Sequence, residues 1–139
     1  MPAISIRPAT GRDLPRLTEI YNYYVINTPV AFDIEPYTVE RRAAWFNQFS
    51  SSGRYRLFVA EETGVVLGYA GTSCFRPKAA YETTVGTSVY CAPDAVPNPA
   101  SATLHERFGF KRVGVFTENG RKFGCYWDVA WNERPADGK

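Results

Sequence analysis

The chain carries a single histidine, His105, four residues after Ser101. On a helix, two such side chains share one face. An imidazole titrates near neutrality and both donates and accepts protons, so His105 is the first candidate for general acid–base work. A half-buried packing histidine is the plainer alternative. Asn98-Pro99, just ahead, is a strong helix start, with Asn as cap and Pro in the first helical position; that role by itself requires no function. Cys74, Cys91 and Cys125 are odd in number and far apart. With one histidine and no cysteine pair at ligand spacing, no zinc site is expected. The same cysteines suit a reducing, cytoplasmic setting better than a disulfide framework.

These residues must be held by a scaffold, and its elements are legible. Ile4-Ser5-Ile6-Arg7-Pro8 reads as a short first strand. Thr10-Gly11-Arg12-Asp13 has the form of a helix start, after which Leu14, Leu17, Ile20, Tyr21 and Tyr24 recur at helical spacing. Asn27-Thr28-Pro29 ends that helix. Thr38 caps a second, with Ala44, Trp45 and Phe49 as its buried stripe. Strands follow over residues 54–61, 65–74 and 83–91; in the first, Tyr55, Leu57 and Val59 face one way and Phe58 and Ala60 the other. The helix opened by Asn98 stops at Gly109. Residues 111–117 and 122–131 form a hairpin around Asn119-Gly120. Phe123, Cys125, Trp127, Val129 and Trp131 alternate onto one face of its last strand, where core packing is the plain role of Trp127. The order β-α-α-β-β-β-α-β-β predicts an α/β fold on a mixed, mostly antiparallel sheet flanked by helices. It is read as one domain over residues 1–133 with a polar tail at 134–139.

Composition narrows the function. With 139 residues, 45% apolar and 15% aromatic, the chain is long and apolar enough for one packed domain. A net charge of +2 without a basic stripe speaks against nucleic acid as partner. The apolar runs are too short to span a membrane, and no signal peptide is evident.

Taken in order, Ile6-Arg7-Pro8-Ala9-Thr10, Ile20-Tyr21-Asn22, Phe32-Asp33-Ile34-Glu35-Pro36, Val59-Ala60-Glu61, Gly68-Tyr69-Ala70, Ser88-Val89-Tyr90, Pro97-Asn98-Pro99-Ala100-Ser101, Leu104-His105-Glu106 and Phe123-Gly124 resemble the GCN5-related N-acetyltransferases, and among them the phosphinothricin N-acetyltransferase branch. The resemblance implies transfer of acetyl from acetyl-CoA, a co-substrate used without metal, to the primary amine of an amino-acid analogue such as phosphinothricin or methionine sulfoximine. It implies that the backbone of Val89, Tyr90 and Cys91 bonds the pantetheine arm as a neighbouring strand would, with Asn98 and Ser101 also on the cofactor side. His105 stands where the family often carries Tyr or His near the thioester. Phe32, Arg76, Lys78 and Tyr81 match positions that line the amine pocket. Two cations and a phenol beside an aromatic wall suit a carboxylate or phosphinate; without the resemblance, Arg76 and Lys78 read equally as solvated charges. The partners implied are a small-molecule amine and a second copy of the chain, since members of this branch are often dimers.

Two departures stand out. The branch places a glutamate base where this chain has Gly86, and a glycine takes no proton. Further, Ser88-Val89-Tyr90-Cys91-Ala92-Pro93-Asp94-Ala95-Val96 runs straight into Pro97. In the family a glycine-rich pyrophosphate loop, a helix and a strand lie between these two segments, so one α-β crossover unit is missing. Residues 92–97 span up to ~20 Å at ~3.3–3.6 Å per residue, enough for a direct joining. Such a joining exposes apolar surface and creates a new edge strand. Two origins stay open, a direct junction or a longer parent whose interior segment is absent here; an intact mass of 15.6 kDa marks the first. The same departures support an alternative function, a non-catalytic remnant of the fold that binds a ligand. Acetylation of another amine, such as a polyamine, is a further alternative, against which the Arg76/Lys78 pair speaks.

Overall fold

The computed structural model describes residues 2–95 and 101–136, without the side chains of residues 101–103. In chain order the elements are β1 (Ser5–Pro8), α1 (Leu14–Asn27), α2 (Val39–Phe46), β2 (Leu57–Glu62), β3 (Val65–Cys74), β4 (Val85–Cys91), α3 (Ser101–Arg107), β5 (Lys111–Lys122) and β6 (Cys125–Glu133). Strands β1-β2-β3-β4 form one sheet in that order, and β5-β6 a second. Every strand pairing among the described residues is antiparallel.

Helix α1 is anchored where its sequence signal begins. The Thr10 N–H donates to Asp13 Oδ2 at 2.7 Å, and Arg7 donates to both Asp13 oxygens, at 2.8 and 2.9 Å, and to Glu61 at 2.8 Å. The Arg7 guanidinium holds the Asp13 carboxyl below the usual carboxylate range, against the opposing effect of burial. Charge-assisted bonds of this kind tie α1 to β1 and β2. Pro15 falls in the first turn, as its missing N–H requires.

In α2, the Thr38 hydroxyl oxygen accepts from the Arg41 N–H at 3.2 Å. Trp45 and Phe49 pack edge to face, 5.1 Å apart. Ala44, expected beside them, is exposed; Arg42 takes the buried place instead. Its guanidinium stacks 3.9 Å from the ring centres of both Tyr21 and Trp45. A planar, weakly hydrated cation between two aromatic faces tolerates burial that an ammonium would not.

The core lies on one face of the four-stranded sheet, where Leu57, Val59 and Tyr69 meet Leu17 and Ile20 of α1. The opposite face carries the alternate residues. Phe58, Ala70 and Val89 line up across it in register, and Ile6 stands opposite Ala60. That face is thinly covered: Ile6 is 67% exposed and Val89 47%.

The C-terminal hairpin turns at Phe123-Gly124 rather than at Asn119-Gly120. Lys122 pairs with Cys125, and the two turn residues have φ of 55° and 73°, both positive as a two-residue type I′ turn demands. Asn119-Gly120 lies inside β5, where the register slips between Phe116 and Gly120. Gly120 serves a different need there, close approach: a Cβ at that position would sit 2.3 Å from Phe32 Cε2. Helix α3 stops at Gly109 (φ 80°), with the Phe110 N–H returning to the His105 carbonyl at 3.0 Å.

Candidate active site

Strand β4 is the outer strand of its sheet. The Ala92 N–H donates to the Leu67 carbonyl at 2.8 Å. By antiparallel alternation Tyr90 and Ser88 then direct their backbone groups to β3, while Val89 and Cys91 turn theirs outward. The Cys91 carbonyl already accepts from the Tyr24 hydroxyl at 2.5 Å. Tyr90 points the other way, its ring 5.3 Å from those of Tyr21 and Tyr24 and 5.5 Å from that of Tyr69. Burial raises the pKa of the Tyr90 phenol and of the Cys91 thiol, so both remain protonated near neutral pH. Of the three residues, Val89 and Cys91 turn their backbone groups outward and Tyr90 packs.

A cavity of about 440 Å³ separates α3 from the second sheet face, walled by Phe58, Ala70 and Val89 on one side and by Leu104, His105 and Phe108 on the other. His105 is half-buried, its ring 5.3 Å from that of Phe110 in an edge-to-face contact. A second cavity of about 260 Å³ continues past Phe58, Ala70 and Val89 toward Ile6 and Cys91. Val89 and His105, singled out separately in the sequence, thus share one wall-lined space. Gly86 does not share it. A Cβ at Gly86 would stand 3.7 Å from Ser73 Oγ, an ordinary contact, and by alternation it would face the α1 side with Tyr90. Asn98 lies outside the described residues; Ser101 opens α3, and its side chain is likewise outside the description.

Of the four residues matched to an amine pocket, Arg76 and Tyr81 lie together and Phe32 meets a different element. Arg76 lies 5.1 Å over the Phe75 ring and 5.7 Å from that of Tyr81. Phe75 in turn meets Tyr81 and, from β6, Trp131. Lys78 is exposed and opens the short 3-10 turn Ala79–Tyr81. Phe32 sits on Gly120 of the hairpin. None of the four lines the cavity beside His105. Trp127 is half-buried and donates its Nε1 proton to the Lys122 carbonyl at 2.8 Å.

The sequence pattern gave no warning of how the Phe32 loop is held. Asp33 accepts from the Tyr21 hydroxyl and, at 3.2 Å, from that of Tyr37. From the hairpin, buried Lys122 donates its Nζ proton to the Ala31 carbonyl at 2.5 Å. Burial depresses the Lys122 pKa, and nearby Asp33 partly restores it. No local signal predicts this latch: its partners lie 91 residues apart, and a lysine in an exposed-looking strand gives no sign of burial.

No protein-family model matches the chain. Individual proteins do. A phosphinothricin N-acetyltransferase of Streptomyces coelicolor is 44% identical over 164 aligned positions, covering 95% of this chain and 96% of the relative. An L-methionine sulfoximine/L-methionine sulfone acetyltransferase of Pseudomonas aeruginosa is 31% identical, covering 96% and 95%. Among solved structures, a GNAT superfamily phosphinothricin acetyltransferase from Sinorhizobium meliloti, in complex with AcCoA, superposes with a TM-score of 0.88 at 29% identity, covering 95% of this chain and 88% of that one. With these likenesses the chain belongs to the GCN5-related N-acetyltransferase family, whose members use acetyl-CoA as acyl donor. Within that family it falls in the phosphinothricin N-acetyltransferase-like branch. The 164 aligned positions exceed the 139 residues of the chain, so the Streptomyces relative holds at least 25 residues, inside the matched span, that this chain lacks. That shortfall is of the size of the missing crossover unit.

Proposed function

We propose that the chain transfers acetyl from acetyl-CoA to the primary amine of a small amino-acid analogue of the phosphinothricin or methionine sulfoximine type. The observation that carries this reading is the edge of β4, unpaired among the described residues, next to the cavity that His105 and Val89 share. The outward backbone groups of Val89 and Cys91 pair with the pantetheine amides, and the resemblance adds Asn98 and Ser101 as cofactor-binding residues. The amine nitrogen attacks the thioester carbonyl; its N–C bond forms as the C–S bond breaks. His105 handles the proton, taking it from the amine through water and returning it to the departing thiolate. Arg76 and Lys78 take the acceptor's anionic group, with Phe32 and Tyr81 as its walls. The rest of the rate comes from positioning.

The test incubates the chain with acetyl-CoA and L-phosphinothricin or L-methionine sulfoximine, following free thiol and the N-acetyl product by mass spectrometry. Spermidine turning over faster than every amino-acid analogue would overturn the choice of acceptor. A second reading, a binding protein without catalysis, is favoured by Gly86 and by the missing pyrophosphate loop. Calorimetric titration with acetyl-CoA, run beside the turnover assay, separates the two: tight binding without product supports the remnant, and turnover eliminates it.

The same reading places the chain in the cytoplasm as a homodimer. Three free cysteines and the apolar surface beside the β4 edge support it. Among the described residues no helix is long and apolar enough to cross a membrane. Sedimentation at twice 15.6 kDa is the expected outcome.

A further inference from the structure

The cavity beside His105 is larger than an acetyl group needs. A cavity of roughly 150 Å³ suffices for a six-carbon benzene ring, and this one holds about 440 Å³. Its inner walls, Phe58, Ala70, Leu104 and Phe108, are apolar, yet two arginines, Arg56 and Arg134, complete the lining. Neither forms an ion pair among the described residues. The Arg56 guanidinium lies 5.1 Å over the Phe58 ring. That of Arg134 folds over the end of α3, its Nε 3.7 Å from where a Gly109 Cβ would stand.

Register locates Arg56. The Thr72 N–H donates to the Arg56 carbonyl at 2.9 Å, and Thr72 pairs with Thr87. Arg56 therefore belongs to a row two residues before Val89, toward the start of β4. If pantetheine runs along β4 from Cys91 to Val89, the acyl group points onward into this row. Two residues of strand measure roughly 7 Å, at ~3.3–3.4 Å each, which is the reach of a short carbon spacer rather than of a methyl group. An apolar groove with two guanidinium side chains in its lining is complementary to a chain of methylenes ending in a carboxylate.

We propose that the acyl donor of this chain extends to short dicarboxylic monothioesters, succinyl or glutaryl, with the terminal carboxylate held by Arg56 and Arg134. This rests on the acyltransferase reading above and names the donor class of the same site. The step balances as for acetyl: the amine nitrogen gains the acyl carbon, the C–S bond breaks, the thiolate leaves with the proton the amine gives up, and the distal carboxylate is unchanged.

The experiment compares acetyl-CoA, butyryl-CoA and succinyl-CoA with L-phosphinothricin as acceptor. Butyryl matches succinyl in chain length and lacks its charge. In the unmodified chain, kcat/KM for succinyl-CoA is expected to exceed that for butyryl-CoA by about 10-fold or more, the scale of one charge-assisted hydrogen bond. Arg56→Met combined with Arg134→Met is expected to bring the ratio to near one, with an unchanged circular dichroism spectrum. A succinyl rate no greater than the butyryl rate overturns the proposal, as does a preference that survives the double substitution. Turnover of acetyl-CoA alone overturns it while sparing the N-acetyltransferase reading; no turnover of any donor sinks both.

Discussion

Against the four-stranded sheet, Leu17, Ile20, Val25 and Val59 are withdrawn from solvent to within 1%. In the β5–β6 hairpin, Val113, Val115, Phe116 and Trp131 are each 40% exposed or more, and among the described residues from Leu104 onward the one buried side chain is that of Lys122. Both regions are rich in apolar and aromatic residues. What separates them is layering. The first region closes a sheet face with α1 and α2; the second, among the described residues, has two strands and no covering layer. A two-stranded ribbon is marginal by itself, and this one is held by the Lys122–Ala31 bond and the seating of Phe32 on Gly120. The candidate site lies along the seam between a finished half and an unfinished one.

The contrast breaks most visibly in stability. Leu17→Ala is expected to cost ~2–5 kcal/mol, the range for truncating a fully buried leucine, whereas Val115→Ala should stay within about 0.5 kcal/mol. Urea unfolding midpoints at a common slope measure both; equal costs would mean that the hairpin is as well packed as the core. Next in size is chemistry on the loose side of the seam. His105→Ala is expected to lower kcat by ~10²-fold, the scale of a lost acid–base group, to remove an inflection from the pH–rate profile and to change KM less. Near-full kcat with the same profile would make His105 a packing residue.

On the finished side, Asp13→Asn should cost ~1–3 kcal/mol at pH 7, as expected for hydrogen bonds to a charged partner. The sign of its pH dependence follows from the depressed Asp13 pKa. Stability from the ionised carboxylate is fully present above the ordinary aspartate value of about 4 and is lost as pH falls through the lower folded value. The gap between the two proteins should therefore narrow below about pH 4; a gap that widens there contradicts the assignment. The smallest effect sharpens the seam itself. Gly86→Glu puts a carboxylate on the α1 face of β4, where a Cβ has room. It is expected to raise kcat by about 10-fold, below the full range for a placed base because the supporting unit is missing. A fall in kcat would show that the edge has repacked around glycine.

Much of the scaffold is legible in short runs of residues. The capped start of α1, the Thr38 cap, the alternation of β2 and the stop at Gly109 are decided within a few residues by backbone hydrogen bonding and side-chain periodicity. So is the family, since the stretches from Ile6 to Phe123 keep their order, and so is the interruption between Val96 and Pro97. Local rules err where two local solutions compete. Asn119-Gly120 and Phe123-Gly124 both favour a tight turn, and the contact of Phe32 with Gly120 draws the first into a strand. Ala44 and Arg42 both fit the buried side of a short helix, and two aromatic faces draw in the arginine.

The site is half legible for a related reason. Residue type and helix spacing suffice to propose His105, and a resemblance suffices to propose Val89, Arg76 or Phe32. Which of them share a space is fixed only when α3 settles across the second face of the sheet. That arrangement places His105 with Val89 and Arg56, and leaves Arg76 and Tyr81 around Phe75. The chain dictates contacts that close within one turn or one strand pair, because their geometry is set by the backbone. Contacts between residues tens of positions apart depend on which faces remain uncovered, and that is a property of the assembled layers.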